Sequence, residues 1–362
     1  MGLFKKLFSK EDSTSASKAP KGYLTLTIAK LTKLSSDTVE VQLTIPSELQ
    51  SKFVYSPGQY LNFAITIDGK EERRSYSICS GQNEPLAVAV KAIESGKVSN
   101  WFNSNALEGQ EIFVAPPNGH FTISNEKTVV AIAAGSGITP IMSIAKSIEN
   151  NQDTSLRLFF GNKTVESTIY KADLDALKQT NVTYFLSQES KEGFETGRIT
   201  KESFTAQIKA NLDLLKADGF FICGPEDMIF DIKDTLQLFG VADEKIHFEL
   251  FTTPTHHAEE SHTKTSDFSG KSKVKVIIDD EAYEFELDAK GKTILERADA
   301  EGADAPYSCR GGVCSTCKAK VIKGKAVMDL NYSLTDTEIE EGYVLTCQAH
   351  PASEELIISY DE

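Results

Sequence analysis

The sequence predicts a multidomain chain: an antiparallel β-barrel, an α/β unit on a parallel sheet, and an α+β unit. Three observations carry this. Apolar residues alternate with period two from about Gly22 to Phe121. From about Lys127 to Phe251 solid apolar runs replace them, separated by amphipathic stretches. After residue 272 come a strand hairpin, a helical stretch and a tight group of cysteines. A length of 362 residues suits two or three such units.

In the first unit, expected over 22–125, Leu24, Leu26 and Ile28 alternate, then Val39, Val41, Leu43 and Ile45. Period two marks half-buried strands. Pro57-Gly58 and Asp68-Gly69 are turn signals. Many short strands with regular turns suggest a small barrel.

The second unit is expected over 126–251. Val129–Ala133 and Phe220–Cys223 are apolar throughout, and Leu156–Phe160 and Val182–Leu186 are apolar but for Arg157 and Thr183, as suits strands buried on both faces of a parallel sheet. Ser167–Gln179 and Glu226–Phe239 have helical spacing between them.

Residues 252–272 contain few core formers and read as a linker. Its His256, His257 and His262 lack thiolate or carboxylate partners at a metal-site spacing, so they read as solvated. The third unit, 273–362, starts with a hairpin: Val274, Val276 and Ile278 alternate, as do Tyr283, Phe285 and Leu287, with Asp279-Asp280 near the turn. Thr293–Glu301 then reads as helix.

Charge and composition exclude several classes. There are 38 Lys+Arg against 53 Asp+Glu, a net charge of −15, which argues against a nucleic-acid binder. A hydrophobic content of 40% is too high for a disordered chain. No apolar run approaches the ~18 residues of a transmembrane segment. Residues 1–21 read as a flexible tail. The short Met1–Phe8 stretch lacks a secretory signal's apolar core, and Lys6 replaces the Ser or Thr of a myristoylation pattern. The expected setting is cytoplasmic.

The cysteines carry the sharpest signal. Four and then two residues separate Cys309, Cys314 and Cys317, and Cys347 lies far downstream. This C-x4-C-x2-C…C spacing is the plant-type [2Fe–2S] ligand pattern. Gly311 and Gly312 let backbone N–H groups approach inorganic sulfides. Zinc is the competing reading, but a structural zinc site usually pairs two similar knuckles. Disulfides would need an oxidising compartment.

Two further motifs stand upstream. In Arg74-Ser75-Tyr76-Ser77, Arg74 and Tyr76 share one strand face and Ser75 takes the other. A guanidinium grips phosphate with two parallel hydrogen bonds. Gly135-Ser136-Gly137-Ile138-Thr139-Pro140 joins a buried strand to a helix, where glycines let a pyrophosphate approach the helix N-terminus. Pro140 stands where the dinucleotide fingerprint has its third Gly.

These motifs, in this order, resemble the ferredoxin–NADP reductase-like flavoproteins with a C-terminal plant-type ferredoxin domain. R-x-Y-S is the flavin motif of that family, G-x-G-x-x-P its glycine-rich turn, and Cys223-Gly224-Pro225-Glu226-Asp227-Met228 matches its C-G-P-x-x-M turn. Ser308–Cys317 and Gly342–Gln348 look like the ferredoxin cluster loop and fourth-ligand strand. The resemblance implies a flavin barrel, an NAD(P)-binding domain and a β-grasp ferredoxin domain. It implies that Arg74 binds the flavin phosphates, Tyr76 stacks on the flavin and Ser77 lies near its N5. Gly96, Lys97, Val98 and Ser99 form a second phosphate turn. Gly135, Gly137, Thr139, Pro140, Cys223, Gly224 and Pro225 hold the nicotinamide nucleotide, with Cys223 beside the ring. Ser77, Cys223 and Glu249 are the implied catalytic residues, and Phe251 covers the flavin face. Lys163 and Arg198 are weaker candidates for an NADP 2′-phosphate.

After the tail, the whole chain is similar to the reductase subunits of phenylacetyl-CoA epoxidases. That likeness implies FAD, NADPH in preference to NADH, and a diiron oxygenase as acceptor. Alternatives are another acceptor (ring hydroxylase, desaturase or hybrid-cluster protein) or a non-enzymatic electron carrier. The 273–362 unit has 10 Lys+Arg and 19 Asp+Glu, so it carries −9 of the charge, suited to a basic partner face.

Overall fold

A computed structural model describes residues 19–149, 151, 153–255 and 266–362. The three histidines at 256, 257 and 262, and most of the expected tail, lie outside the described residues. The barrel comprises β1 (Leu24–Ser35), β2 (Thr38–Thr44), β3 (Tyr60–Ile67), β4 (Lys70–Ser77), β5 (Ala87–Lys91), α1 (Lys97–Ser104) and β6 (Glu111–Val114). Its six strands run antiparallel in the order β4-β3-β6-β1-β2-β5. A bridge between Ile78, just past β4, and Val88 on β5 brings the two edges together. The alternating residues Leu26, Ile28, Val39, Val41, Leu61 and Phe63 fill the inside.

The second domain follows as β7 (Thr128–Ala134), α2 (Ile138–Glu149), β8 (Ser155–Asn162), α3 (Lys171–Ala176), β9 (Thr180–Leu186) and β10 (Glu195–Thr196), then α4 (Lys201–Ala210), β11 (Gly219–Cys223), α5 (Glu226–Leu238) and β12 (Ile246–Glu249). All strand pairs are parallel, in the order β10-β9-β8-β7-β11-β12. Val129, Ala131 and Ala133 face one apolar core, while Val130 and Ile132 face another. Burial on both faces explains the largely apolar runs. Strand order reverses beside β7, so a crevice opens at the carboxyl ends of β7 and β11, where ligands bind in such sheets.

One helix is shorter than its spacing predicts. Of Ser167–Gln179, only Lys171–Ala176 is helical. Tyr170 stands before it in a left-handed conformation, φ +57°. Its hydroxyl bridges Glu40 (2.7 Å) and the buried Cys79 thiol (3.1 Å) of the barrel. This buried tether holds the chain out of helical geometry.

The third domain comprises β13 (Lys271–Ile278), β14 (Glu281–Asp288), α6 (Ile294–Ala300), β15 (Lys318–Lys323), β16 (Ala326–Met328), α7 (Asp336–Glu340), β17 (Tyr343–Leu345), β18 (Ala349–Pro351) and β19 (Glu355–Ser359). A five-stranded mixed sheet, β14-β13-β19-β15-β17, packs against α6. Asp279 and Asp280 both have positive φ, the primed turn that suits a two-residue hairpin. Thr293 and Glu296 form a capping box that starts α6.

The stretch read as linker is anchored at both described ends. The Thr255 amide donates to Glu226 (2.9 Å), and β13 already begins at Lys271. Among the described residues no helix is long and apolar enough to cross a membrane.

Candidate active site

β4 lies at the barrel edge, paired with β3 through eight residues. On one of its faces the Tyr76 ring stands edge-on to Phe63 and Phe102, both 5.8 Å away. This apolar corner fixes the orientation of the ring. Arg74, on the same face, is half-exposed. Its Nη1 donates to the Arg73 carbonyl (2.6 Å), and its Nη2 lies 3.5 Å from Glu72. Glu72 also pairs with Lys97, the first residue of α1. One carboxylate thus stands between two cations placed to receive an anion.

The turn before α1 is tight. A Cβ on Gly96 would lie 2.4 Å from both Ile93 Cγ1 and Ser99 Oγ. Val98 is buried in the barrel core. The Ser99 hydroxyl donates to the Gly96 carbonyl (3.2 Å) and accepts from the Ile93 amide (3.4 Å). It closes the turn rather than pointing free.

In the second domain two strand-to-helix turns meet at the crevice. Gly135 has φ +55°, a conformation glycine adopts without strain. A Cβ on Gly137 would lie 2.0 Å from the Cys223 carbonyl oxygen, and one on Gly224 would lie 3.2 Å from the Ala134 amide nitrogen. The two turns therefore pack backbone to backbone, as side chains would not allow. Thr139 donates to the Ser136 carbonyl (3.0 Å), Pro140 occupies the first turn of α2, and Pro225 precedes α5. The N-termini of α2 and α5 follow directly from these two turns. Lys163 and Arg198 are exposed, following β8 and β10 respectively.

Three expected residues come together where barrel and crevice meet. Parallel register sets Cys223 beside Glu249. The Ser77 hydroxyl donates to Glu249 Oε2 (3.2 Å). Burial pushes the Glu249 carboxyl up to about 8, against the pull of the Ser77 hydrogen bond. Burial, and secondarily the Glu249 charge, also raise the Cys223 thiol well above its ordinary value, so it stays neutral. Just beyond β12, Phe251 is 43% exposed. It lines a cleft of about 540 Å³ with Arg74, Thr253, Tyr307, Cys309 and Arg310, a size usual for cofactor sites.

Cys309, Cys314, Cys317 and Cys347 converge beside this cleft. Cys314 Sγ lies 3.1 Å from Cys309 Sγ, and the Gly311 amide donates to Cys309 Sγ (3.3 Å). The Thr346 amide donates to the Cys317 carbonyl (3.1 Å), tying the fourth thiol's strand to the third. A Cβ on Gly311 would meet Thr253 Oγ1 at 1.7 Å, and Gly312 has φ +74°. The thiols stand closer than ligands round an ion, and no three His, Cys, Asp or Glu among the described residues are spaced to ligate one. Three sulfurs on a glycine-relaxed loop and a fourth from Cys347 nevertheless fit [2Fe–2S] as a donor set.

Sequence reasoning missed the contacts that join the domains here. Asn62 and Ser75 touch the cluster loop and Arg73 the segment leading into it, yet Arg73 reads as one charge in a Glu-Glu-Arg-Arg run. Only its place on the face opposite Arg74 hinted at a separate role.

Family models match all three domains: an oxidoreductase FAD-binding domain over 25–123, an oxidoreductase NAD-binding domain over 131–234, and a 2Fe-2S iron-sulfur cluster binding domain over 276–352. One component of the 1,2-phenylacetyl-CoA epoxidase of Escherichia coli (strain K12) is 36% identical, over 93% of this chain and 97% of that protein. The ferredoxin reductase component of the Rhodococcus rhodochrous 3-ketosteroid-9-alpha-monooxygenase is 31% identical, over 92% and 96%. Among solved structures, phthalate dioxygenase reductase shares the fold with a TM-score of 0.59 at 23% identity, over 93% of this chain and 98% of that one. The chain therefore belongs to the family of three-domain reductases that bind FAD, NAD(P)H and a [2Fe–2S] cluster, and it is an oxidoreductase of that electron-transfer type.

Proposed function

We propose that this chain carries electrons from NADPH, or NADH, through FAD and its [2Fe–2S] cluster to a diiron oxygenase of the phenylacetyl-CoA epoxidase type. The observation that carries this is the near-complete overlap, 93% of one chain on 97% of the other, with the matching component of the Escherichia coli epoxidase. Likeness to monooxygenase reductase components supports a second reading, another oxygenase as acceptor. A cytoplasmic setting suits a protein whose ligand thiols must stay reduced.

Bound FAD supplies the conversion of a two-electron donation into single electrons, which the cluster passes on one at a time. The chain's residues supply position and charge. Arg74 grips the flavin phosphates, aided by Gly96, Lys97, Val98 and Ser99 at the start of α1. Tyr76, braced by Phe63 and Phe102, offers a rigid stacking face. Gly135, Gly137, Thr139, Pro140, Gly224 and Pro225 shape the nucleotide's phosphate site. Cys223 fills the space beside the nicotinamide as a neutral thiol. Glu249 holds a proton at neutral pH, and Ser77 orients its Oε2. Phe251 shields the flavin face until the nicotinamide displaces it. Cys309, Cys314, Cys317 and Cys347 ligate the cluster as thiolates.

The test is an anaerobic NADPH titration of the holoprotein, followed by reconstitution with a phenylacetyl-CoA epoxidase oxygenase component. Flavin and cluster absorption should bleach, and epoxide should form only with the reductase present. Bleaching and cytochrome c reduction without epoxide would assign the acceptor to another oxygenase. An Arg74→Ala protein with undiminished flavin would overturn the flavin site.

A further inference from the structure

β4 has a second face. Arg73 and Ser75 alternate with Arg74 and Tyr76 and reach the third domain, Arg73 from the wall of the same cleft. Arg73 is only 4% exposed. Its Nη2 donates to Asp304 (2.6 Å), its Nε to Glu71 (2.6 Å) and its Nη1 to the Ala305 carbonyl (3.3 Å). The guanidinium lies between the Tyr23 and Tyr307 rings, 5.3 and 4.6 Å from their centroids. The other Asp304 oxygen accepts from the Lys21 amide (2.8 Å). A buried cation is stable only when its donors are met in this way.

Two residues along, the Ser75 hydroxyl lies 2.7 Å from Ser308 Oγ and donates to Asn62 Oδ1 (2.7 Å). Asn62 is the register partner of Ser75 on β3. Its amide donates to Thr316 Oγ1 (3.1 Å). Ser308 immediately precedes Cys309, and Thr316 immediately precedes Cys317. Both ends of the three-cysteine loop are therefore bonded to the strand pair that carries R-x-Y-S.

We propose that Arg73 and Ser75, with Asn62, are positioning residues that clamp the cluster loop onto the flavin-binding strand, so that one strand sets the gap between the two redox groups. The proposal rests on the flavin and cluster sites described above. Electron tunnelling falls steeply with distance, so a loop held by two bonded ends and a buried ion pair keeps the transfer rate reproducible. Arg74 and Tyr76 hold one group, and Arg73 and Ser75 hold the carrier of the other.

Holoprotein carrying Asp304→Ala or Ser75→Ala tests this. Flavin content, cluster content and the rate of flavin bleaching by NADPH should match wild type. Cluster reduction after flavin reduction, followed by stopped-flow absorbance, should slow on the order of tenfold. Hydrogen–deuterium exchange across 303–317 should rise, and Asp304→Glu should restore part of both properties. Wild-type cluster reduction in both variants overturns the clamp. So does slowed reduction with unchanged exchange, because the change would then lie in the redox groups themselves. A wild-type protein lacking flavin and cluster would defeat the functional reading instead, while the exchange comparison would still report on the clamp.

Discussion

The barrel meets its two neighbours through different kinds of surface. Against the nicotinamide domain the seam is built round an apolar core, with the Tyr170–Glu40 and Ser77–Glu249 bonds beside it. Cys79, Ala87, Ala89 and Phe121 of the barrel join Ile138, Ile141, Met142 and Ile144 in one core. Against the ferredoxin domain the seam is polar, made by Arg73–Asp304, Asn62–Thr316, Ser75–Ser308 and the His120–Glu338 pair at 3.4 Å. The ferredoxin domain keeps its own core, formed wholly from residues 274–358. An apolar seam makes two domains one cooperative body, while a directional polar seam resembles a docked partner. Hydride transfer needs the first kind of junction, since the reacting atoms must align. Tunnelling needs only a maintained distance, which a few oriented bonds supply.

The sharpest way to break this contrast is to remove the cluster. Cys314→Ser should lower cytochrome c reduction by more than roughly 100-fold, while NADPH still bleaches the flavin at the wild-type rate. A parallel loss of flavin reduction would mean that the polar seam also supports the hydride site. Next in size is the apolar seam. Ile144 is fully buried, and a Cβ built on Gly58 of the barrel would lie 3.4 Å from its Cδ1. Ile144→Ala should cost about 2–5 kcal/mol, and calorimetry should show barrel and nicotinamide domain melting earlier together, with the ferredoxin domain unmoved.

A smaller effect separates the seams by pH. The Glu249 carboxyl is raised to about 8 in the folded chain, from the ordinary 4.5. The folded state thus binds more protons than the unfolded one between those values. Its contribution favours folding at low pH and is lost as pH rises through that window. Glu249→Gln should flatten the pH dependence of the first two domains' melting temperature and leave the third domain's unchanged. Smallest is the α6 cap. Thr293→Ala should lower ferredoxin-domain stability by about 1 kcal/mol, visible in that domain's transition alone.

Strand and turn chemistry made much of this readable in the sequence. Period-two runs gave β1 and β2, largely apolar runs gave the parallel strands, and cysteine spacing gave the ligand loop. These signals are local, so one chain suffices to see them. Docking is not local. Asp304 looks like one acid in an acidic domain, yet it lies against Arg73, more than two hundred residues upstream. Part of the charge read as a surface for an external partner meets cations of this chain: Glu338 meets His120 and Lys318, and Lys21 pairs with Glu281. Glu249 reads equally well as a surface carboxylate, and only the register of β12 beside β11 brings it to Ser77. The α3 helix falls short for the same reason, because a tyrosine tether to another domain outweighs local spacing.

The alternation along β4 bears on how such a chain tolerates change. A substitution at Arg73 touches the ferredoxin junction, and a substitution at Arg74 touches the charged cluster with Glu72. A deletion of one residue within Lys70–Ser77 would turn every side chain beyond it to the opposite face. Both grips would fail together, with no single replacement able to restore either. The strand's length is therefore held more strictly than its composition, and insertions or deletions in related reductases should fall in the turns flanking it.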